Sequence, residues 1–225
     1  TAIAQGVSVV LCLFYIKNKA KILIPNKTHF KSDKVLYKEL ISQGLSMALM
    51  SSIVSLGSVI LQSSINNLGY LTIAGHSAAR KLFGLSIIPF FALGTALSTF
   101  VSQNRGAEKG ERIIKGVKYA NIIGVTWSLL VFVVLMFTAR FFIQIISGSE
   151  ENVILNNGSK YLILSAPFYT VLALLINLRF ALQGLGEKVV PLISSFIELF
   201  GKILFVIFII PHFDYNGVIF CEPII

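Results

Sequence analysis

Ionisable side chains inside long apolar runs are the residues of this sequence whose type and spacing could do chemistry. Glu198 and Lys202 are four residues apart within the apolar stretch 190–210. This i, i+4 spacing, with Glu nearer the amino end, favours an ion pair on a helix. Arg80 lies in another apolar stretch. If these stretches cross a membrane, each charge costs about 2.5 kcal/mol or more and is a candidate for a solute or ion pathway.

A stripe of small and polar residues precedes Arg80. Steps of three and four residues place its members on one helix face: Gly44, Ala48, Ser51, Ser55, Ser58, Gln62 and Asn66. The small residues predict close helix packing, whereas Gln62 and Asn66 are large and polar enough to line a solute path. For Glu198, three partners remain open, namely Arg80, Lys202 or a transported cation. The candidate pathway residues are Gln62, Asn66, Arg80, Glu198 and Lys202.

The motifs of common enzymes and metal sites do not occur in this sequence. It contains no HExxH, GxSxG, Walker or CxxC pattern, and its three histidines and two cysteines are scattered. We therefore expect neither an enzyme nor a bound metal. Cys12 and Cys221 lie in apolar runs near opposite ends, which is typical of buried thiols rather than a disulfide.

The apolar runs have the lengths of membrane-spanning helices. Only 13% of the 225 residues are charged, about half the share in soluble proteins. A helix needs roughly 17–25 apolar residues to cross a bilayer. The uncharged runs predict complete helices at about 41–65, 71–102, 119–138, 160–180 and 190–210, with a turn at 211–217 and a further span beginning after it. The predicted fold is an all-α bundle of transmembrane helices in a lipid bilayer.

Lysine and arginine residues are concentrated in alternate loops. Loops 17–40, 104–118 and 179–190 contain seven, five and two of them, whereas the intervening loops 66–72, 139–160 and 211–217 contain none, two and none. By the positive-inside rule, the first three loops are cytoplasmic in a multi-pass protein of the cell membrane. The same confinement to short loops explains the net charge of +9 without nucleic-acid binding.

Two short motifs carry a resemblance to a known family. The motifs are Gln103-Asn104-Arg105-Gly106-Ala107 and Leu182-Gln183-Gly184-Leu185-Gly186. Together with a similarity along nearly the whole chain, they resemble the carboxy-terminal half of the multidrug and toxic compound extrusion (MATE) family. The resemblance implies one six-helix lobe of a twelve-helix transporter, truncated at both ends. Residues 1–16 would end helix six, 17–40 would form the basic inter-lobe loop, and 41–225 would hold helices seven to eleven and the start of twelve.

The resemblance also implies a mechanism. Such proteins export small organic, commonly cationic, compounds by alternating access, driven by inward Na⁺ or H⁺ and without another cofactor. The amino-terminal lobe would be the partner of the present segment. Gly106 would permit a tight turn between helices eight and nine. This sequence departs from the family in one respect, because spans 41–65 and 160–180 contain no Asp or Glu beyond their edges. The coupling acid is then either Glu198 or a residue outside this sequence.

Two other functions remain open. A flippase for lipid-linked oligosaccharides or polysaccharides would have a more cationic cavity, for which Arg80, Lys81 and Lys202 are available. A non-transporting membrane scaffold subunit would instead bury Arg80 and Glu198 as a dry pair, with no cavity between the helices.

Overall fold

The chain is almost entirely helical. The computed structural model describes residues 2–26 and 33–225, and no strand occurs in these ranges. The α-helices are α1 (Ala2–Lys19), α2 (Lys34–Ile65), α3 (Tyr70–Gly106), α4 (Gly110–Ser147), α5 (Asn152–Ser165), α6 (Tyr169–Gly184), α7 (Val189–Leu204) and α8 (Ile210–Ile224). The predicted all-α class is therefore confirmed.

Within the described ranges, five helical segments are long and apolar enough to cross a membrane. They cover Lys34–Leu68, Tyr70–Gly106, Gly110–Ser147, Asn152–Gly184 and Val189–Ile224, with 33 to 38 residues each. The fourth segment contains α5 and α6, joined by a 3₁₀ turn at Pro167. The fifth contains α7 and α8, joined by one π-helical turn. The predicted multi-span bundle is thus confirmed, although several helices run well past the apolar stretches that predicted them.

The chain divides into two compact units, residues 1–42 and 43–225. In the first unit, Asp33 caps α2 by accepting hydrogen bonds from the backbone N–H groups of Val35 and Leu36. Helix α1 continues to Lys19 and α2 begins at Lys34, so both ends of the predicted loop 17–40 are helical. Lys27 and Lys31 of that loop lie outside the described residues. All remaining features belong to residues 43–225.

Helix α3 is the centre of the second unit and packs against α4, α5 and α6. Ala79 and Phe90 of α3, Leu135 of α4 and Leu162 of α5 belong to one buried apolar cluster. Helices α3 and α5 cross in very close contact, since a Cβ atom on Gly75 would lie 2.6 Å from the carbonyl oxygen of Ile154. Small residues at such crossings are typical of helix association in membranes, where dispersion contacts replace the hydrophobic driving force.

The turns of the bundle separate into two ends. At one end, Gly186 lies beside the guanidinium of Arg105, and the hydroxyl of Ser46 donates to the carbonyl oxygen of Lys188. At the other end, Asn157 donates to Thr72 and accepts, through its backbone carbonyl, a hydrogen bond from the Tyr215 hydroxyl. The segments predicted to be cytoplasmic, 104–118 and 179–190, therefore share one end.

The chain reverses direction at Asp214, which has φ 46° and ψ −130° inside the run assigned to α8. A Cβ atom on Gly201 would touch Ile225, and one on Gly217 would touch Ile210. These two contacts show that residues after 214 run antiparallel to the end of the preceding helix. The reversal agrees with the turn predicted at 211–217 and carries the last residues back into the bundle.

Candidate functional site

A cavity of about 780 Å³ lies among α2, α3, α5, α6, α7 and α8. Most of its wall is aliphatic and aromatic. Its charged and polar lining residues are Ser51, Ser55, Ser58, Arg80, Tyr161, Ser165, Tyr169, Arg179, Gln183, Ser194, Glu198, Lys202 and Glu222. Of the five candidate pathway residues, the cavity brings together Arg80, Glu198 and Lys202.

The polar stripe of α2 contributes its serines to the cavity but not its two largest members. Ser55 and Ser58 donate to backbone carbonyls four residues earlier, so their hydroxyls are satisfied within the helix. Gln62 and Asn66 do not line the cavity. Gln62 Nε2 donates to Asn66 Oδ1 at 3.0 Å, and both side chains are exposed. Gln62 and Asn66 thus satisfy each other near the helix end, outside this cavity. Their place on a solute path stays a prediction.

Arg80 belongs to a three-residue cluster that joins three helices. Its Nη1 donates to Glu222 Oε2 at 2.6 Å and to the Tyr161 hydroxyl at 3.3 Å, and Tyr161 donates to the same carboxylate oxygen at 3.0 Å. The guanidinium also lies 5.0 Å from the ring centre of Phe83, within cation–π range. Arg80 is ten residues from Tyr70, or about 15 Å along the helix. The Arg80 cluster therefore lies deep within the span.

Glu198 belongs to a second cluster, which we call the Arg179 cluster and which consists of Arg179, Ser194, Glu198 and Lys202. Glu198 Oε1 accepts from Lys202 Nζ at 2.9 Å, and Oε2 accepts from Arg179 Nη2 at 3.3 Å. Arg179 Nε and Nη2 also donate to the hydroxyl of Ser194. Glu198 is nine residues from Val189, or about 13 Å along the helix. Of the three partners left open for Glu198, the structure shows Lys202, whereas Arg80 pairs with Glu222.

Four members of these clusters were not recognised from the sequence, namely Ser194, Arg179, Tyr161 and Glu222. Arg179 was assigned to the loop 179–190, Ser194 and Tyr161 are uncharged residues of predicted spans, and Glu222 lay in the last span, of which only the beginning was predicted. Each charge gave a signal, since Glu222 and Arg179 stand out in apolar surroundings. A helix boundary and a buried functional charge produce the same signal, however, and only the fold separates them.

The Gln103–Ala107 motif ends α3 and leads into the turn to α4, but not in the way expected. Gly106 is the last residue of α3, does not have a positive φ, and has open space where a Cβ atom would lie. The left-handed residue is Glu108, with φ 56°. The N–H of Glu108 bonds the carbonyl of Arg105 and that of Lys109 bonds the carbonyl of Asn104, which is a Schellman motif. The expectation that Gly106 permits the turn is therefore corrected; Gln103 accepts, through its carbonyl, from the N–H of Ala107.

The second motif has a clearer structural basis. Gln183 lines the cavity, and its Nε2 lies 3.7 Å from the sulfur of Met50. Gly184 lies against α3, where a Cβ atom would come within 2.5 Å of the Ser98 carbonyl oxygen. Gly186 has φ 73° and ends α6 in another Schellman motif, which glycine adopts without strain.

Membrane-length helices that enclose a cavity with charged residues at depth define a class of protein, the polytopic membrane transporter. Comparison with known proteins identifies the family. The MatE family model matches residues 46–208, so the chain belongs to the MATE family of multidrug efflux transporters.

Two curated relatives agree with this assignment. The chain is 24% identical over 187 residues to the probable multidrug resistance protein YpnP of Bacillus subtilis, covering 82% of the chain and 40% of the relative. It is 21% identical over 182 residues to the probable multidrug resistance protein NorM of Thermotoga maritima, covering 81% and 39%. The chain thus spans about two-fifths of the length of these relatives.

A solved structure shows the same fold. It is a MOP superfamily transporter from Pyrococcus furiosus, described as having a binding pocket of reverse polarity that suggests a different function. Its TM-score with this chain is 0.72 at 14% sequence identity, and the match covers 83% of this chain and 41% of the other.

Proposed function

We propose that this chain forms the carboxy-terminal lobe of an antiporter that exports small organic compounds by alternating access. The observation that carries the proposal is that Glu198 and Glu222, two carboxylates deep in membrane-length helices, line one cavity with largely apolar walls. Apolar walls suit organic solutes. A carboxylate in a wet membrane cavity can accept an inward-moving cation. The amino-terminal lobe of the family would close the other side of the cavity.

Glu198 is the proposed coupling acid, with Glu222 as a second carboxylate in the same cavity. Both are held by cationic side chains, so an incoming Na⁺ or H⁺ must compete with Lys202, Arg179 or Arg80 for the carboxylate oxygens. Coupling requires that the ion and the solute bind the two transport conformations with different affinities. An ion pair that forms in one conformation and opens in the other would supply such a difference.

The test is dye efflux from cells that express the protein, with Na⁺ and pH gradients imposed separately. We expect one gradient to drive efflux, and Glu198→Gln to reduce it strongly while the amount of protein in the membrane is unchanged. Glu150→Gln is the matched control, because Glu150 is exposed and does not line the cavity. Efflux that neither gradient drives would refute antiport, and unchanged gradient-driven efflux in Glu198→Gln would remove Glu198 from the coupling mechanism.

One observation favours a second candidate, a flippase for lipid-linked oligosaccharides or polysaccharides. Three cationic side chains and two carboxylates line the cavity, which is the cationic balance such a substrate would favour. A scaffold subunit is less well supported, because Arg80 and Glu198 lie beside a cavity rather than in a dry pair. Flipping would be measured as movement of a labelled lipid-linked sugar across vesicle membranes, and dye efflux without such movement would reject this candidate.

A further inference from the structure

The charges that line the cavity do not balance. The Arg80 cluster contains one cation and one carboxylate, Arg80 and Glu222, at 2.6 Å. The Arg179 cluster contains two cations, Arg179 and Lys202, and the single carboxylate of Glu198. Among the described residues that line the cavity, one positive charge is therefore left over, and it belongs to the Arg179 cluster.

In the Arg179 cluster a single carboxylate is shared by two cations, so each cation contacts one oxygen but the second positive charge has no negative charge of its own. Glu198 uses Oε1 for Lys202 and Oε2 for Arg179. Ser194 accepts from Arg179 but brings no charge. A guanidinium presents five N–H donors, and the three donor–acceptor contacts described for Arg179 involve only its Nε and Nη2. The cluster can therefore donate further hydrogen bonds to an anion.

The excess charge is poorly exposed to water. The side chain of Lys202 is 4% exposed and that of Arg179 is 17% exposed. A charge in such surroundings is costly unless an opposite charge compensates it. The bundle nevertheless makes room for Lys202, because its stem lies over Gly57, where a Cβ atom would come within 2.9 Å of Lys202 Cδ. The second cation is thus positioned by the packing of α2 against α7.

We propose that the Arg179 cluster binds the anionic group, a carboxylate or a phosphate, of an amphipathic organic substrate. Arg179 offers the planar donor geometry that suits such groups, and Lys202 supplies the uncompensated charge. The apolar part of the substrate contacts the hydrophobic wall, which includes Phe83, Phe91, Phe168, Leu172, Leu175 and Phe180. This inference rests on the proposed function, because it takes the cavity as the substrate route. It assigns anionic substrates to this chain in place of the cationic ones that the family resemblance implied.

The test is binding of three probes to the purified protein in a neutral detergent: a dansyl-labelled long-chain carboxylate, its uncharged methyl ester and its ammonium analogue. Because the three share one apolar body, differences in affinity report the head group. We expect the carboxylate to bind most tightly, and Lys202→Met and Arg179→Gln each to weaken it roughly tenfold or more. Affinity for the ester should not change. Arg140→Gln is the matched control, because Arg140 is exposed on α4 and bonds Asn152 and Asn156 outside the cavity.

Loss of fold does not obscure this test. Lys202→Met leaves Arg179 and Glu198 as a one-to-one pair, so we expect the variant to unfold at the same temperature as the parent or higher. Lys202→Arg should restore carboxylate binding. A purely structural salt bridge would give the opposite pattern, in which Lys202→Met lowers the unfolding temperature and leaves carboxylate affinity unchanged. That pattern, or preferential binding of the ammonium analogue, would overturn the proposal.

A second arm separates the two sources of an anionic head group. Phosphatidic acid and a soluble aliphatic phosphate are compared as competitors of the carboxylate probe, and either one competing supports an anion site and identifies its source. If neither compound competes and the variants leave the carboxylate affinity unchanged, the anion site is refuted. The binding assay needs no gradient, so its outcome is independent of the proposed antiport. Anion binding without export would refute the antiport and leave the anion site standing. Gradient-driven export of the ammonium probe would support the antiport and overturn the anion site.

Discussion

The Arg80–Glu222 pair should connect the last helical segment energetically to α3. Glu222→Gln removes the negative partner and leaves the guanidinium of Arg80 in the cavity wall with the Tyr161 hydroxyl. Removing one member of a fully buried pair costs roughly 3–5 kcal/mol. The two side chains keep 34% and 23% exposure, and Tyr161 still accepts from Arg80. We therefore expect a smaller loss of stability, about 1–3 kcal/mol.

The measurement is a double-mutant cycle of Arg80→Gln and Glu222→Gln, followed by thermal unfolding in detergent. Because the double variant has no stranded charge, its loss of stability should be smaller than the sum of the two single losses, by about 1 kcal/mol or more. Lys160→Gln is the control, since Lys160 is exposed and bonds Asn216 at the end of the bundle; it should change stability by less than about 0.5 kcal/mol. Additive losses in the cycle would refute the assigned pairing.

Two further predictions concern helix packing and a helix start. Gly184→Ala should destabilise the bundle by about 1–3 kcal/mol in thermal melts, because the added Cβ meets the backbone of Ser98. Gly106→Ala has open space around its Cβ and should be neutral or stabilising in the same melts. Equal losses of stability would contradict the close contact between α6 and α3. Glu187 accepts hydrogen bonds from the N–H groups of Val189 and Val190, which lower the pKa of its carboxyl. A lowered pKa stabilises the folded state at pH values above the ordinary Glu range, and this stabilisation is lost as the pH falls through the folded pKa. Glu187→Gln should therefore reduce the unfolding temperature at neutral pH but not in acid. A difference in unfolding temperature that persists in acid would contradict this prediction.

Much of the fold follows from the length of the apolar runs. A run of more than 17 residues without a charge has few alternatives to a membrane helix, and the separation of basic loops predicted which turns share an end of the bundle. The helix ends were less accurate. Helix α4 was expected at 119–138 but covers Gly110–Ser147, because hydropathy reports the part that crosses lipid, whereas Lys115 and Lys118 continue the same helix in polar surroundings.

The site was predicted in part. Arg80, Glu198 and Lys202 were recognised because a charge in an apolar helix is costly wherever the helix packs. Gln62 and Asn66 were placed in the cavity on the basis of one helix face, but the periodicity of a helix does not show how far along it a cavity extends. At the end of α2 the two amides bond each other instead. Glu222 was not recognised as the partner of Arg80, because the turn predicted at 211–217 does not show which helix the residues after it contact.

Arg179 shows most clearly why charge alone is a poor marker of a helix end. It was read as the first residue of the loop 179–190, yet α6 continues to Gly184, five residues or about 8 Å further. What ends α6 is the backbone conformation of Gly186, whose left-handed φ closes the Schellman motif. The glycine signal was present in Leu182-Gln183-Gly184-Leu185-Gly186. The end of this helix depends on the backbone and not on side-chain charge. If the helix is predicted to end at the glycine rather than at the first charge, Arg179 lies inside the span and adds a second cation to the neighbourhood of Glu198.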